Sequence, residues 1–301
     1  MLASMSAATG AEVAISDQEF RLIQSLVKTH TGIALSDHKR SLVVSRLGKR
    51  LRALSIESFR QYYEHLTRDE GGTEMEQFVN AITTNKTDFY RERAHFDFLG
   101  REVVDEMKAR ALQTGNRRIR IWSAGCSTGE EPYTIAITLR ESLGSLLSWD
   151  VRILASDIDT QVLAQATKGI YAAERAAEVP PLILRKHFLR GSGSSAGFVK
   201  VSKEIQSLVT FRQINFLEEP WPIRTRFDCI FCRNVIIYFD RPTQGRLMER
   251  FADLLQDDGY LFLGHSESMH GVCDRFSFLQ NTVYRKKAGA NTSSCNAREC
   301  A

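Results

Sequence analysis

The chain has 301 residues, 43% hydrophobic and 25% charged, and its 40 Lys and Arg against 36 Asp and Glu give a net charge of +4. Those proportions belong to an ordinary globular protein long enough for two modest domains, and so mild a balance does not by itself point to nucleic acid. No apolar run approaches the roughly 20 residues of a membrane-spanning helix. Met1–Ala14 has neither a basic start nor a long apolar centre, so no secretory signal is expected and a cytoplasmic protein is.

Residues 1–15 are small and aperiodic, and disorder is expected there. Ser16 followed by Glu19 reads as a capping box, Phe20, Ile23 and Val27 continue at helical spacing, and Gly32 is a stop signal. A second helix is expected over 36–54 on Val43, Leu47, Leu51 and Leu54, a third on Phe59, Tyr62, Tyr63 and Leu66, and a fourth on Met75, Phe78, Val79 and Ile82. The chain therefore opens with an all-helical domain over 16–85.

Beyond Arg117 the pattern changes. Ile119–Trp122 reads as a strand running into the turn Ser123–Gly129, and a helix with Tyr133, Ala136, Ile137 and Leu143 follows. Val151–Ala155 is a second strand, ending in Ser156-Asp157-Ile158-Asp159. Phe227–Phe231 and Tyr260–Leu263 are apolar strands separated by a helix around 244–255. Strands alternating with helices predict a parallel sheet covered on both faces, an α/β domain over 86–287. Within it, 184–211 reads as two strand-like runs around a Gly/Ser turn, an inserted antiparallel β-subdomain. Residues 288–301 are polar and aperiodic, a loose tail. The six cysteines are scattered, and the Cys229-x-x-Cys232 pair lies in an apolar run with no second pair, so neither a disulfide framework nor a metal site is expected.

In an open parallel sheet, ligands bind at the carboxyl ends of the strands. Gly125-Cys-Ser-Thr-Gly129 lies at such an end and opens a helix, although a plain strand-to-helix turn has the same composition. Asp157 ends the next strand, where a carboxylate can accept from ribose hydroxyls. The turn is neither GxGxxG nor a P-loop. Glu130 and Glu131 stand at the helix N-terminus, where a pyrophosphate would have to sit. Carboxylates there suit a cationic ligand without phosphate. S-adenosylmethionine, with its sulfonium and ammonium groups, is one, and a nicotinamide dehydrogenase is disfavoured.

Five stretches together resemble the CheR family of chemotaxis receptor methyltransferases: Thr83–Glu92, Trp122–Tyr133, Ala155–Asp159, Phe227–Asp240 and Gly264-His-Ser-Glu-Ser268. The resemblance runs from about Ser16 to Arg285. It implies a Rossmann-like class I methyltransferase sheet with an N-terminal all-helical domain and an inserted β-subdomain. It also implies transfer of a methyl group from S-adenosylmethionine to glutamate carboxylates of chemoreceptors, leaving S-adenosylhomocysteine, without a metal. By motif, the family's cofactor contacts fall on Asn85, Thr87, Arg91, Glu130 and Glu131, Asp157, Asn215, Phe216, Arg233 and Asn234. Glu131 is the favoured one of its pair. Where relatives often have Asn-Leu-Leu, this chain has Asn215-Phe216-Leu217, a departure that also fits Phe216 as a packing residue. Arg91 and Tyr238 are the expected catalytic, aligning residues. An ionised carboxylate is already a nucleophile at neutral pH, so no general base is needed.

His265-Ser266-Glu267-Ser268 lacks the closing glycine of a nucleophile elbow and is expected to serve turn and packing duties, not hydrolysis. Between His38 and Ile56 stand six basic residues and no acidic one. Of these, Lys39, Arg46, Lys49 and Arg50 lie on the flank away from the Leu47/Leu51 seam. A solvated face and a docking surface for an acidic partner both fit that stripe. The expected partners are the chemoreceptor cytoplasmic domain and its C-terminal peptide, the latter added as a strand to the β-subdomain. Nucleic acid and membrane insertion are not expected, and a monomer is. The rival readings are a methyltransferase for RNA or a small molecule, and an inactive S-adenosylmethionine-binding regulator.

Overall fold

The computed structural model describes residues 14–68, 72–144 and 146–289. Nearly all of the start expected to be disordered (1–15) and of the loose tail (288–301) lies outside the described residues, as do Cys295 and Cys300. The chain forms two compact units, Met1–Thr84 and Asn85–Ala301.

The first unit is helical: α1 (Asp17–Thr31), α2 (Arg40–Leu54), α3 (Phe59–Thr67) and α4 (Thr73–Ile82). Ser16 caps α1 through the full capping box, and Gly32 ends it in the left-handed region at φ 76°. One turn of 3-10 helix, Asp37–Lys39, leads into α2, so the regular helix begins later than the pattern predicts. Phe20, Ile23, Val27, Val43, Leu47, Leu51, Phe59, Tyr62, Phe78 and Ile82 make its buried core.

The basic stripe on α2 is divided. Lys39 and Lys49 are exposed. Arg50 instead forms a fork on Glu74 of α4, with Nε to Oε1 at 3.0 Å and Nη2 to Oε2 at 2.5 Å, and Tyr62 donates its hydroxyl to the same carboxylate at 2.7 Å. Arg46 donates to the carbonyls of Ile82 (2.7 Å) and Thr83 (2.6 Å), where α4 ends. Two of the four expected docking residues therefore also hold the unit together, because the flank of α2 lies against a second helix.

The second unit opens with α5 (Ala94–Phe98), a π turn (Leu99–Val103) and α6 (Val104–Thr114). This stretch has no counterpart in the sequence reading. Its buried residues Phe96, Leu99, Val103, Met107 and Ala111 recur every three or four positions, and a π turn interrupts the regular helix at Leu99–Val103. Then come β1 (Arg118–Ala124), α7 (Glu130–Leu143), β2 (Asp150–Asp157), α8 (Thr160–Lys168), β3 (Ile170–Ala172), α9 (Pro181–His187), β4 (Phe188–Arg190), β5 (Phe198–Val201) and α10 (Lys203–Gln206). The chain continues with β6 (Val209–Gln213), β7 (Phe227–Cys232), α11 (Arg241–Leu254), β8 (Leu255–Leu263), β9 (Phe276–Gln280) and β10 (Val283–Lys286).

The large sheet has seven strands in the order β6-β2-β1-β7-β8-β10-β9. β6, β2, β1, β7 and β8 are parallel, while β10 runs antiparallel to β8 and β9 to β10. Every residue of β7 is buried, as expected of a central strand covered on both faces. Strand order reverses beside β1, so the crevice between the carboxyl ends of β1 and β7 is the switch point where such sheets take ligands.

The small sheet has the antiparallel order β3-β5-β4. The predicted hairpin over 184–211 contains β4 and β5 but omits β3, and it runs into β6, which belongs to the large sheet. A three-residue strand such as β3 leaves too short a pattern to read. The β9–β10 hairpin closes through Asn281 and Thr282, both at positive φ (47° and 56°), the type I′ geometry that matches strand twist.

Candidate functional site

Each parallel strand from β6 to β7 delivers residues to one edge of the sheet. β1 leads into the turn 125–129, where Gly125 (φ 87°) and Gly129 (φ 96°) are left-handed. A Cβ on Gly125 would lie 2.5 Å from Val235 Cγ2, and one on Gly129 would lie 2.8 Å from Ala166 Cβ. Both backbone angle and packing therefore demand glycine. Ser127 also has positive φ (48°), and so do Tyr90 (56°), Glu92 (57°) and Asn234 (59°) on two neighbouring loops. Left-handed non-glycine residues are costly, and their concentration here is the signature of a built site.

Asp157, at the end of β2, accepts from Ser127 N at 2.8 Å through Oδ2 and from Asp159 N at 3.1 Å through Oδ1. It is 9% exposed, and burial pushes its carboxyl up to about 6 against those two backbone donors. Asp159 has a different duty. It caps α8 and accepts from Asn85 Nδ2 at 2.8 Å, while Asn85 O accepts from Ser127 Oγ at 2.9 Å. Asn85 thus ties the incoming chain to the turns after β1 and β2.

The two glutamates at the start of α7 diverge, as successive helical positions must. Glu130 is fully buried, accepts from Thr128 Oγ at 2.6 Å, and pairs with Arg175, which also donates to Thr87 O at 2.8 Å. Glu131 faces the sheet edge, accepting from Ser123 Oγ at 2.7 Å and from Arg233 Nη1 at 3.0 Å. Burial raises the Glu131 carboxyl, and Arg233 and Ser123 only partly oppose it. Arg233 is itself buried and shared, bonding Glu92 Oε2 at 2.9 Å and the Arg91 carbonyl.

Two glutamates that sequence reasoning did not place in the site organise its loops. Glu92 accepts from Arg233, from Asn234 Nδ2 at 3.3 Å and from His265 N at 3.2 Å. Burial works to raise its carboxyl, yet Arg233 and the other donors hold it below its ordinary value. Glu267 accepts from Gly264 N (2.6 Å), Asn234 N (2.8 Å) and Ile237 N (3.3 Å), the turn duty expected of its motif. Only their place inside the recognised stretches signalled them.

The remaining expected residues lie in the same unit. The Arg91 guanidinium donates to Lys86 O at 2.8 Å. Tyr238, partly buried, ends a 3-10 turn after Asn234. Asn215 follows β6 and accepts from Leu217 N at 3.0 Å. The Phe216 ring packs into an aromatic cluster with Trp122, Trp221 and Phe251, with centroids 5.7–6.1 Å away, so its side chain is a core residue. Cys229 and Cys232 are both fully buried, with thiols raised far above their ordinary value by burial.

Asp157, Glu130 and Glu131 are three buried carboxylates at one sheet edge, and the two that burial raises, Asp157 and Glu131, are groups whose charged form a cationic ligand would stabilise and a phosphate would not. Residues 85–285 match the CheR methyltransferase SAM-binding domain, and residues 18–83 match the CheR all-alpha domain. The chain belongs to the CheR methyltransferase family. It is similar to chemotaxis protein methyltransferase 2 of Pseudomonas aeruginosa, with 48% identity over 89% of this chain and 92% of that protein. The chemotaxis protein methyltransferases of Salmonella typhimurium (43% identity, 90% of this chain, 91% of that one) and Borreliella burgdorferi (36%, 90% and 94%) are further relatives. The stretch that matches the SAM-binding domain contains the seven-stranded sheet and the carboxylates at its carboxyl edge.

Proposed function

We propose that this CheR-family methyltransferase esterifies glutamate side chains of chemoreceptors, leaving S-adenosylhomocysteine. The observation that carries the reading is the convergence of Asp157, Glu131 and the Arg233–Asn234 turn at the switch point of a sheet that matches the family's SAM-binding domain. S-adenosylmethionine supplies an electrophilic methyl group. Asp157 accepts from its ribose hydroxyls, and Glu131, the glutamate that faces the sheet edge, contributes negative field against its cationic end. Glu130 serves instead as the anchor for Arg175. Asn215 and the Phe216 backbone border the adenosine, and Asn85, Thr87, Arg91, Arg233 and Asn234 shape the rest of the cleft.

The reaction is an in-line displacement, in which a carboxylate oxygen bonds to methyl carbon as the carbon–sulfur bond breaks. The acceptor glutamate, with an ordinary pKa of about 4.3, arrives ionised, so no residue has to remove a proton. Arg91 and Tyr238 orient the carboxylate towards the methyl group, and exclusion of water does the rest. Exposed Lys39, in the 3-10 turn that leads into α2, and exposed Lys49 on α2 support docking of an acidic receptor surface. Exposed Ile170, Leu189 and Phe198 on the small sheet support capture of a receptor's C-terminal peptide as an added strand.

The test is to incubate the protein with labelled S-adenosylmethionine and receptor-containing membranes and to measure base-labile methyl label. Label that survives base, or that enters RNA or small molecules and not receptor, overturns the assignment.

A further inference from the structure

The imidazole of His95, on α5, is fully buried. Its Nε2 bonds the carbonyl of Asn281 in the β9–β10 turn. A carbonyl can only accept, so Nε2 carries the proton and Nδ1 is a bare lone pair. That Nδ1 has no hydrogen-bond partner among the described residues. It faces Glu92 Oε2 at 3.5 Å, an oxygen that also accepts from Arg233 Nη2 at 2.9 Å. The buried Nδ1 lone pair is the group left unmet there, and a cation or a proton donor beside it would satisfy it.

A third such group adjoins them. The His265 ring is exposed and stands edge-on to His95, with centroids 5.1 Å apart. One ligand atom from each of Glu92, His95 and His265 can be chosen so that all lie within 4.8 Å of one another. Two imidazole nitrogens and one carboxylate oxygen are a donor set for a borderline-soft divalent ion, whereas magnesium and calcium prefer oxygen alone. The outer contacts are those that fix metal ligands in place: His95 donates its other nitrogen to a backbone carbonyl, and Glu92 is held by Arg233 and Asn234.

We propose that Glu92, His95 and His265 form a binding site for one divalent ion of the zinc class, with His265 as its solvent-facing ligand. The ion joins α5 and the loop before it to the turn after β8 and braces Glu92, the carboxylate shared by Arg233 and Asn234. It takes no part in methyl transfer, which needs no Lewis acid. The inference does not depend on the identity of the methyl acceptor.

The test uses the full chain, stripped of metal with a chelator and titrated calorimetrically with zinc chloride. His265→Ala is the informative variant, because an exposed ring can be removed without disturbing the core. Wild type should take up one equivalent of zinc and melt at a higher temperature with it. The variant should lose that equivalent, with affinity weaker by at least about tenfold. Equal uptake by both proteins would place the zinc on other surface imidazoles or thiols. No uptake by wild type would mean that the Nδ1–carboxylate gap is bridged by a water or a proton. Either result overturns the site.

Discussion

Asp157 is a carboxylate that accepts from the backbone of Ser127 and Asp159, with no cation bonded to it among the described residues, so its affinity for hydroxyl donors depends on its own ionisation. Asp157→Ala should weaken binding of S-adenosylhomocysteine by about 1.5–3 kcal/mol by calorimetry, the scale of a charge-assisted hydrogen bond. The pH dependence has a definite sign. A ligand that donates to Asp157 prefers the ionised form, whereas the free site takes up a proton below about 6. The dissociation constant should therefore be flat above that pH and rise about tenfold per unit below it. A flat profile down to pH 5 would remove Asp157 from the ligand contacts. Tyr238→Phe addresses alignment instead: deleting the hydroxyl should lower kcat while leaving cofactor affinity near wild type, and unchanged turnover would return Tyr238 to a packing role.

At the scale of the element, α2 combines two functions that mutation can separate. Arg50 pairs with a Glu74 side chain only 9% exposed, so Arg50→Ala strands a carboxylate that also holds the Tyr62 hydroxyl. Urea unfolding should show a loss of about 1–3 kcal/mol. Lys39 and Lys49 are exposed and lie off the Leu47/Leu51 seam, and their reversal to Glu should shift stability by no more than about 0.5 kcal/mol. If α2 docks the receptor, that reversal should cut receptor methylation at low salt, and wild-type activity should decline as salt is added. Activity at the wild-type level would make the stripe a solvated face. The sequence placed all four basic residues on one flank but could not tell which of them meet α4, since that depends on how two helices pack.

For the molecule as a whole, a cleft of buried carboxylates should sort ligands by charge. S-adenosylhomocysteine at about 100 times its dissociation constant should stabilise the folded state by about 2.7 kcal/mol and raise the melting temperature. NAD at the same concentration should leave it unchanged. Stabilisation by NAD and not by the adenosyl ligand would contradict the electrostatic reading of Glu131 and Asp157.

What the chain determined alone was local. Ser16, Glu19 and Gly32 cap α1 as read, because a capping box spans only four residues and a left-handed stop needs only its own glycine. The β1 turn, Asp157 and the five family stretches were equally legible, each being a contiguous run. Tertiary structure alone decided which charges meet. Glu92 finds Arg233 across 141 residues and His265 across 173. Glu130 and Glu131, adjacent in sequence, part company because a helix turns them towards different neighbours, Arg175 and Arg233. A pattern of spacing records what one element does to its own backbone, whereas the pairing of buried charges is set by how strands from distant parts of the chain end side by side.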